Sequence, residues 1–254
     1  MDLLSSTTLS TTQGSGGNGI NTLYFVDSTG TICTNTSGIG LPSLSASLPV
    51  SPLAYNPRVL QTKGLDPNNM CILKGFPTAL KSKTAFPFGI WFASDSVVYI
   101  GDEDNGDNTF STSTQQYTVA AAQTTAGLQK WVFDSSSQTW NHAYTLQNGL
   151  NLGVPYIVPR YQTGTNSSTG LPWAPATDGL RNITGTLNKD GTATIYAITS
   201  TVSGNGDQGA DPNKLVAITD NLAATTLPGN ETFTTLRAAG NLEVLRGVSY
   251  TPGT

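Results

Sequence analysis

The strongest constraint on the fold is a four-part pattern that occurs twice. "FPFGIWFASDSVVYIGDE" (86–103) and "GLRNITGTLNKDGTATIYAITS" (179–200) each open on Gly or Asn followed by Ile, at Gly89-Ile90 and Asn182-Ile183. Both then pass a polar turn and enter a stretch centred on tyrosine, Tyr99 or Tyr196. A long polar loop leads to "GLQKWVFD" (127–134) or "NKLVAITD" (213–220), each closing on Asp. The last part, "TWNHAYTLQ" (139–147) or "TFTTLRAAG" (232–240), alternates polar and apolar residues. A period of two marks a strand with one face buried. The pattern therefore predicts two four-stranded units, 86–148 and 180–240, and internal self-similarity of this kind signals a repeat architecture.

The chain ends supply parts of a third unit. "NTLYFVDSTG" (21–30) matches the second, Tyr-centred strand, with Tyr24 in the place of Tyr99 and Tyr196, but nothing like a first strand precedes it. The first-strand motif stands at the other end, as Arg246-Gly247-Val248 in "LRGVSYTP" (245–252). This predicts a unit with its inner strand at 245–250, its next strands at 22–34 and its outer strand at "NMCILKGF" (69–76). A sheet built from both ends is how a β-propeller closes without leaving an edge exposed. The expected fold is all-β, a propeller with three four-stranded blades per chain over 21–254. Residues 1–20, rich in Ser, Thr and Gly, are expected to form a disordered tail. Propellers use ~4–8 blades and three cannot enclose an axis. Either two chains make a six-bladed homodimer, the preferred reading because a closed ring hides its edges, or the chain is the later part of a longer propeller.

Composition narrows the setting. Charged residues make up 11% of the chain against 37% apolar, with 27 glycines, so Ser, Thr, Asn and Gln must cover most of the surface. Polarity without charge is common in secreted β-rich proteins, and an extracellular or periplasmic location is expected, although "MDLLSSTTLSTTQGSGGNG" lacks the basic-then-apolar layout of a signal peptide. Twelve Lys and Arg against sixteen Asp and Glu, with no basic run, argue against a nucleic-acid partner. No segment approaches the ~20 apolar residues of a membrane span. Cys33 and Cys71 are too far apart for a CxxC motif; on the strands assigned above they are neighbours, either as one disulfide or as two separate thiols.

In a propeller the loops joining the second strand to the third and one blade to the next share a face. Here they are 101–118, 199–214 and 151–179, the longest and most polar loops of the chain. Asp102, Glu103, Asp104, Asn105, Asp107 and Asn108 gather oxygen ligands of the type Ca²⁺ takes, without EF-hand spacing. The alternative is a solvated acidic turn. Asp178, Asp207 and Asp211 are weaker candidates of the same kind. Arg181 and Arg246 hold equivalent positions in two units, before the first-strand Asn or Gly, and Phe88 holds that position in the third. Two guanidiniums there would hold a carboxylate, phosphate or developing oxyanion, or would cap loop carbonyls. Trp173, with Tyr156 and Tyr161 in the long inter-blade loop, would stack on a sugar or an acyl chain, or pack the loop down. His142, the sole histidine, falls on an outer strand; with no GxSxG elbow and no HExxH, a Ser-His-Asp triad and a His-rich zinc site are excluded.

The stretches "GIWFASDSVVYIGDE", "GLQKW" and "LRGVSYTP" resemble the C-terminal blades of secreted bacterial β-propeller proteins of largely unassigned function, over residues 20–254. A more distant, fold-level similarity is to propellers of the gluconolactonase and paraoxonase type. That similarity implies an axial Ca²⁺ polarising a lactone or ester carbonyl, a mechanism that needs no Ser-His pair. It implies Asp102, Glu103, Asp104 and Asn182, with Asn105 and Asp107 beside them, as metal ligands, and Arg181 with Arg246 as substrate-binding groups. Those enzymes open a first strand with Asn where this chain has Phe88 and Gly89. The expected function is a Ca²⁺-dependent hydrolase of lactones or esters, acyl-homoserine lactones among them. Asp102, Glu103, Asp104, Arg181 and Arg246 would act on the substrate, and Trp173, Tyr156, Tyr161 and Phe88 would bind it. The alternative is a non-catalytic extracellular propeller that recognises a glycan or a protein.

Overall fold

A computed structural model describes residues 2–5, 23–26, 40–42, 47–51, 70–76 and 86–250. The chain is all-β and antiparallel, with one helical turn among the described residues. Strands β1 (Asp2–Ser5), β2 (Leu23–Val26), β3 (Gly40–Pro42), β4 (Ser47–Ser51) and β5 (Met70–Leu73) form a five-stranded sheet in the order β1-β2-β5-β4-β3. Strands β6 (Pro87–Ser94) and β7 (Val97–Asp102) begin a second sheet. A long loop follows, carrying the small hairpin β8 (Phe110–Ser111) and β9 (Gln116–Tyr117) and the single turn α1 (Thr118–Ala121). The sheet is completed by β10 (Gly127–Asp134) and β11 (Thr139–Leu146), in the order β11-β10-β7-β6. The third sheet runs in sequence order through β12 (Ala176–Leu187), β13 (Thr192–Val202), β14 (Lys214–Asn221) and β15 (Thr234–Ala238).

The second and third sheets are the two units that the repeat defines. Tyr99 and Tyr196 sit on the second strand of each, paired with Lys130 and Ala217 on the third. The first strands, β6 and β12, bring the two sheets into contact. A Cβ added at Gly89 would collide with the Arg181 carbonyl oxygen, and one at Gly101 would lie 2.7 Å from the same atom. Only glycine permits this approach of backbone to backbone. Tyr99, Leu128, Leu146, Ile183, Ile195, Val216 and Phe233 fill the core between the sheets. The first sheet meets the second through Phe76, whose ring stacks on Trp131 at 4.1 Å.

A buried polar knot ties the core together. Lys130 Nζ donates to Asp220 Oδ2 at 2.8 Å, to Tyr144 OH at 3.0 Å and to the Asn221 carbonyl at 2.6 Å. Tyr144 OH donates to Asp220 Oδ1 at 2.6 Å, and Tyr99 OH donates to Asp220 Oδ2. Lys130 and Asp220 are both fully buried, and a buried ion pair is tolerable only when its remaining donors and acceptors are met in this way.

The expected closure by the C-terminus is not what forms. Residues 245–250 make no strand, and Asp2–Ser5, which the sequence reading left in a disordered tail, pairs with Leu23–Val26 instead. The Asn213 side chain takes both backbone groups of Leu245, donating Nδ2–H to its carbonyl at 2.9 Å and accepting its N–H at 2.8 Å, so that those two groups are closed to a sheet ladder. The first sheet also differs in order from the predicted unit, with 70–73 next to β2 and two further strands outside it. Cys33 lies outside the described residues, so the pairing with Cys71 does too. No helix among the described residues is long and apolar enough to cross a membrane.

Candidate functional site

The ends of β6, β7 and β12 and the loop 203–213 meet on one side of the second and third sheets. Two β-bulges shape the meeting point. The ladder of β6 with β7 skips between Pro87 and Gly89, at Phe88, and that of β12 with β13 skips between Leu180 and Ile183, at Arg181 and Asn182. A bulge re-aims the side chain at its extra residue, and here the re-aimed residues converge. The Arg181 guanidinium lies 4.5 Å from the centre of the Phe88 ring. Arg246 arrives from the C-terminal segment, held in place by the Asn213–Leu245 bonds. A Cβ added at Gly209 would collide with Arg181 Nη1 and lie 3.3 Å from Arg246 Nη1, so both guanidiniums reach one spot beside a residue without a side chain. Arg181 thus stands between the Phe88 ring and Arg246, although Arg246 lies on no strand.

The acidic loop does not close into one ligand cage. Asp102 is fully buried and already saturated: Oδ2 accepts from Phe86 N–H and from Gln129 Nε2, both at 2.7 Å, and Oδ1 accepts from Asp104 N–H at 3.0 Å. Burial pushes its pKa up to about 8. Glu103 Oε2 accepts from Arg181 Nε at 2.8 Å; burial raises its pKa and the neighbouring guanidinium opposes the rise. Asp104 is buried with φ 64°, a left-handed conformation that Asp tolerates better than most residues. Its Oδ1 accepts from Asn105 N–H at 2.6 Å, and burial pushes its pKa up to about 7. Asn105 and Asp107 turn inward on the loop, accepting from Asp107 N–H at 2.8 Å and from Thr109 at 2.6 and 2.9 Å. Asn182 lies in the β12 bulge, half-buried. Among the described residues no three His, Cys, Asp or Glu side chains gather as a metal-ligand group. Of the ligand set Asp102, Glu103, Asp104, Asn105, Asp107 and Asn182, both oxygens of Asp102 and one oxygen each of Glu103, Asp104, Asn105 and Asp107 accept hydrogen bonds within the protein.

Gln208 is the residue that the sequence reading missed. Its Nε2 donates to the Glu103 carbonyl at 2.7 Å, to the Asp104 carbonyl at 3.3 Å and to Asp178 Oδ2 at 2.7 Å, stitching the acidic loop to the start of β12. A glutamine between glycines in a polar loop carries no chemical signature, and only its position reveals the role. Asp178 is fully buried, and its pKa is raised well above the usual carboxylate range, first by burial and further by the charges of Asp104 and Glu103. Tyr156 and Tyr161, expected to bind substrate, spend their hydroxyls on the same loop: Tyr156 donates to the Pro212 carbonyl at 2.7 Å and Tyr161 to Asp211 Oδ1 at 2.6 Å. They pack the loop between the second and third sheets down. Trp173 is half-buried in that loop, its backbone N–H bonded to the Gly164 carbonyl at 3.0 Å. His142 lies exposed on β11, where the ladder to β10 shifts register and breaks the alternation of Trp140, Tyr144 and Leu146.

No protein-family model, no curated protein and no solved structure matches this chain.

Proposed function

We propose that the chain is a hydrolase of lactones or esters, built on β-propeller blades, with its substrate held between Arg181 and Arg246 over the Phe88 ring. The observation that supports this reading is the convergence of Arg181 and Arg246 beside Gly209, with the Phe88 ring against Arg181 and Glu103 bonded to it. Guanidiniums polarise a carbonyl oxygen and stabilise the oxyanion that forms on it, and fixed donors of this kind are often the largest single contribution to catalysis. Glu103 is the carboxylate next to them and takes the proton of the attacking water. As that water's oxygen bonds to the carbonyl carbon, the C–O bond to the leaving alkoxide breaks and the proton passes to the alkoxide. These steps use the chain's own residues; a Ca²⁺ bound by the acidic loop would further polarise the same carbonyl. The substrate class is small, with an ester or lactone group, and an acyl-homoserine lactone fits it. In this reading a second copy of the chain completes a six-bladed ring and the protein works outside the cytoplasm; light scattering on a sizing column would give twice the 26.6 kDa chain mass for such a dimer.

The test is a hydrolysis screen of acyl-homoserine lactones, simple lactones and esters, run with added Ca²⁺ and with chelator. Turnover that falls about 100-fold or more in Arg181→Ala and Arg246→Ala, in line with loss of oxyanion donors, supports the hydrolase. Absence of turnover in every arm rejects it in favour of a binding propeller. One observation favours that second reading. The 151–179 loop is held rigidly by Tyr156, Tyr161 and the Asn166 Nδ2–H donated to the Gly204 carbonyl at 2.7 Å, as a recognition surface for a glycan or protein would be.

A further inference from the structure

An amine, a carboxylate and a second carboxyl meet in the core between the second and third sheets. Lys130 Nζ lies 2.8 Å from Asp220 Oδ2, and both side chains are 0% exposed. A carbon–oxygen bond adds only about 1.2 Å, so the nitrogen stands within about 4 Å of the Asp220 carboxyl carbon, close to the ~3–3.5 Å of reacting atoms in a near-attack arrangement. Tyr99 and Tyr144, both part of the apolar core, each donate a hydroxyl to that carboxyl, one to each oxygen. Glu231 completes the group. Its Oε1 accepts from Asn221 N–H at 3.2 Å, and its Oε2 is buried and accepts from no N–H or O–H group. Two carboxyls side by side hold together through a proton, and Glu231 carries it: its pKa is pushed up to about 7, first by burial, then by the hydrogen bond to Asp220 and that residue's charge. An ion pair that only held the core together would have no use for a protonated acid on its carboxylate. A carboxyl placed for attack by an amine does.

We infer that Lys130 and Asp220 condense to an amide inside the folded chain, with Glu231 carrying the protons, so that β10 and β14 become joined by a covalent bond. Within the pair the Lys130 proton passes to Asp220, giving amine and acid, the neutral forms that a water-free interior favours. The Nζ lone pair then bonds to the Asp220 carboxyl carbon. The charge that gathers on oxygen is held by the Tyr99 and Tyr144 hydroxyls, donors already aimed at that position. Glu231 gives its proton to the departing hydroxyl and takes one from Nζ, the carbon–oxygen bond breaks, and water leaves. An ammonium and a carboxylate have become an amide and one water, and no oxidant, cofactor or second protein is consumed. The bond spans 90 residues of sequence, and such a cross-link restrains the unfolded chain as a disulfide does. It depends on neither the arginine pair nor the turnover of any substrate.

The experiment is intact-mass spectrometry of the denatured full chain, followed by protease digestion. The parent protein should weigh about 18 Da, one water, less than its sequence, and the digest should contain a branched peptide joining the Lys130 stretch to the Asp220 stretch. Lys130→Arg and Asp220→Ala should each show the full sequence mass. Glu231→Gln keeps both reacting groups, and its deficit should be absent or should form at least tenfold more slowly in the folded protein held at neutral pH. A parent mass equal to that of the sequence after long incubation in the folded state overturns the inference. So does a deficit that maps to another Asp, as a succinimide would give. Condensation of Glu231→Gln at the parent's rate overturns the role given to Glu231. Should a variant fail to fold, the branched peptide of the parent protein decides.

Discussion

Gly209 is the residue on which the arginine pair depends, since any side chain there occupies the space that the Arg181 guanidinium fills. Its backbone lies outside the left-handed region, so alanine costs nothing in conformation and acts only by displacing the guanidinium. Gly209→Ala should therefore lower kcat/KM on an ester or lactone substrate about tenfold or more, equivalent to about 1.4 kcal/mol, while the melting temperature stays within a few degrees. A large fall in stability would mean that the residue has a packing role instead. At the other end of the core, Glu231 Oε1 accepts from Asn221 N–H at 3.2 Å, and its pKa is raised from 4.5 to about 7, first by burial and then by Asp220, with Lys130 opposing. A carboxyl whose folded pKa is raised binds more protons folded than unfolded. Its stabilisation is complete below the unfolded value and is lost as pH rises through the folded one. Stability should fall between about pH 4.5 and 7, with Asp102 and Asp104 adding to the fall because they too bind more protons folded, and Glu231→Gln should lessen it in urea melts across the range.

At the scale of elements, the strands owe their order to two kinds of contact that a single strand cannot show. The Lys130–Asp220 pair links β10 to β14 across the gap between the second and third sheets, with Tyr99 of β7 and Tyr144 of β11 completing it. Four strands from two sheets thus share one polar knot. Asp220→Ala leaves the Lys130 ammonium buried and unpaired, and urea unfolding should show a loss of about 3–5 kcal/mol. Replacing both partners by apolar groups, Lys130→Met with Asp220→Leu, should recover part of that loss, because breaking a buried pair costs more than removing it. Equal losses in the single and double variants would show that the shape of the knot matters more than its charge. The second contact is the meeting of β6 and β12 at Gly89, where the chain alternates as any half-buried strand does, yet the absence of a side chain lets the two sheets meet backbone to backbone.

Over the whole molecule, the C-terminal segment is a strap and not a strand. Its anchors are the two Asn213–Leu245 hydrogen bonds and the edge-on packing of Tyr250 against Tyr196 at 5.6 Å. Deleting residues 245–254 should remove Arg246 from the site and leave every described strand ladder intact. The truncated chain should run on a sizing column as the parent does and lose activity or ligand affinity; aggregation would instead favour the edge-closing role that the repeat implied. The repeat did determine a good deal. The repeated order of strand motifs around Tyr99 and Tyr196 is a property of the sequence, so the all-β class and the two units at 86–148 and 180–240 are legible without coordinates, whereas the one-sided burial expected of the last strand is missing from β15, which is exposed along its length. The shared register of Phe88 and Arg181, each at a bulge of its first strand, is legible for the same reason, whereas Arg246 reaches the site from a segment that forms no strand. What only the tertiary structure decided depends on which polar group meets which. Asn213 takes both backbone groups of Leu245, Gln208 joins Asp178 to the acidic loop, and Asp102 is spent on Phe86 and Gln129. A carboxylate in a sequence is a set of lone pairs with no stated direction; packing decides which are consumed inside the protein and which are left open for chemistry.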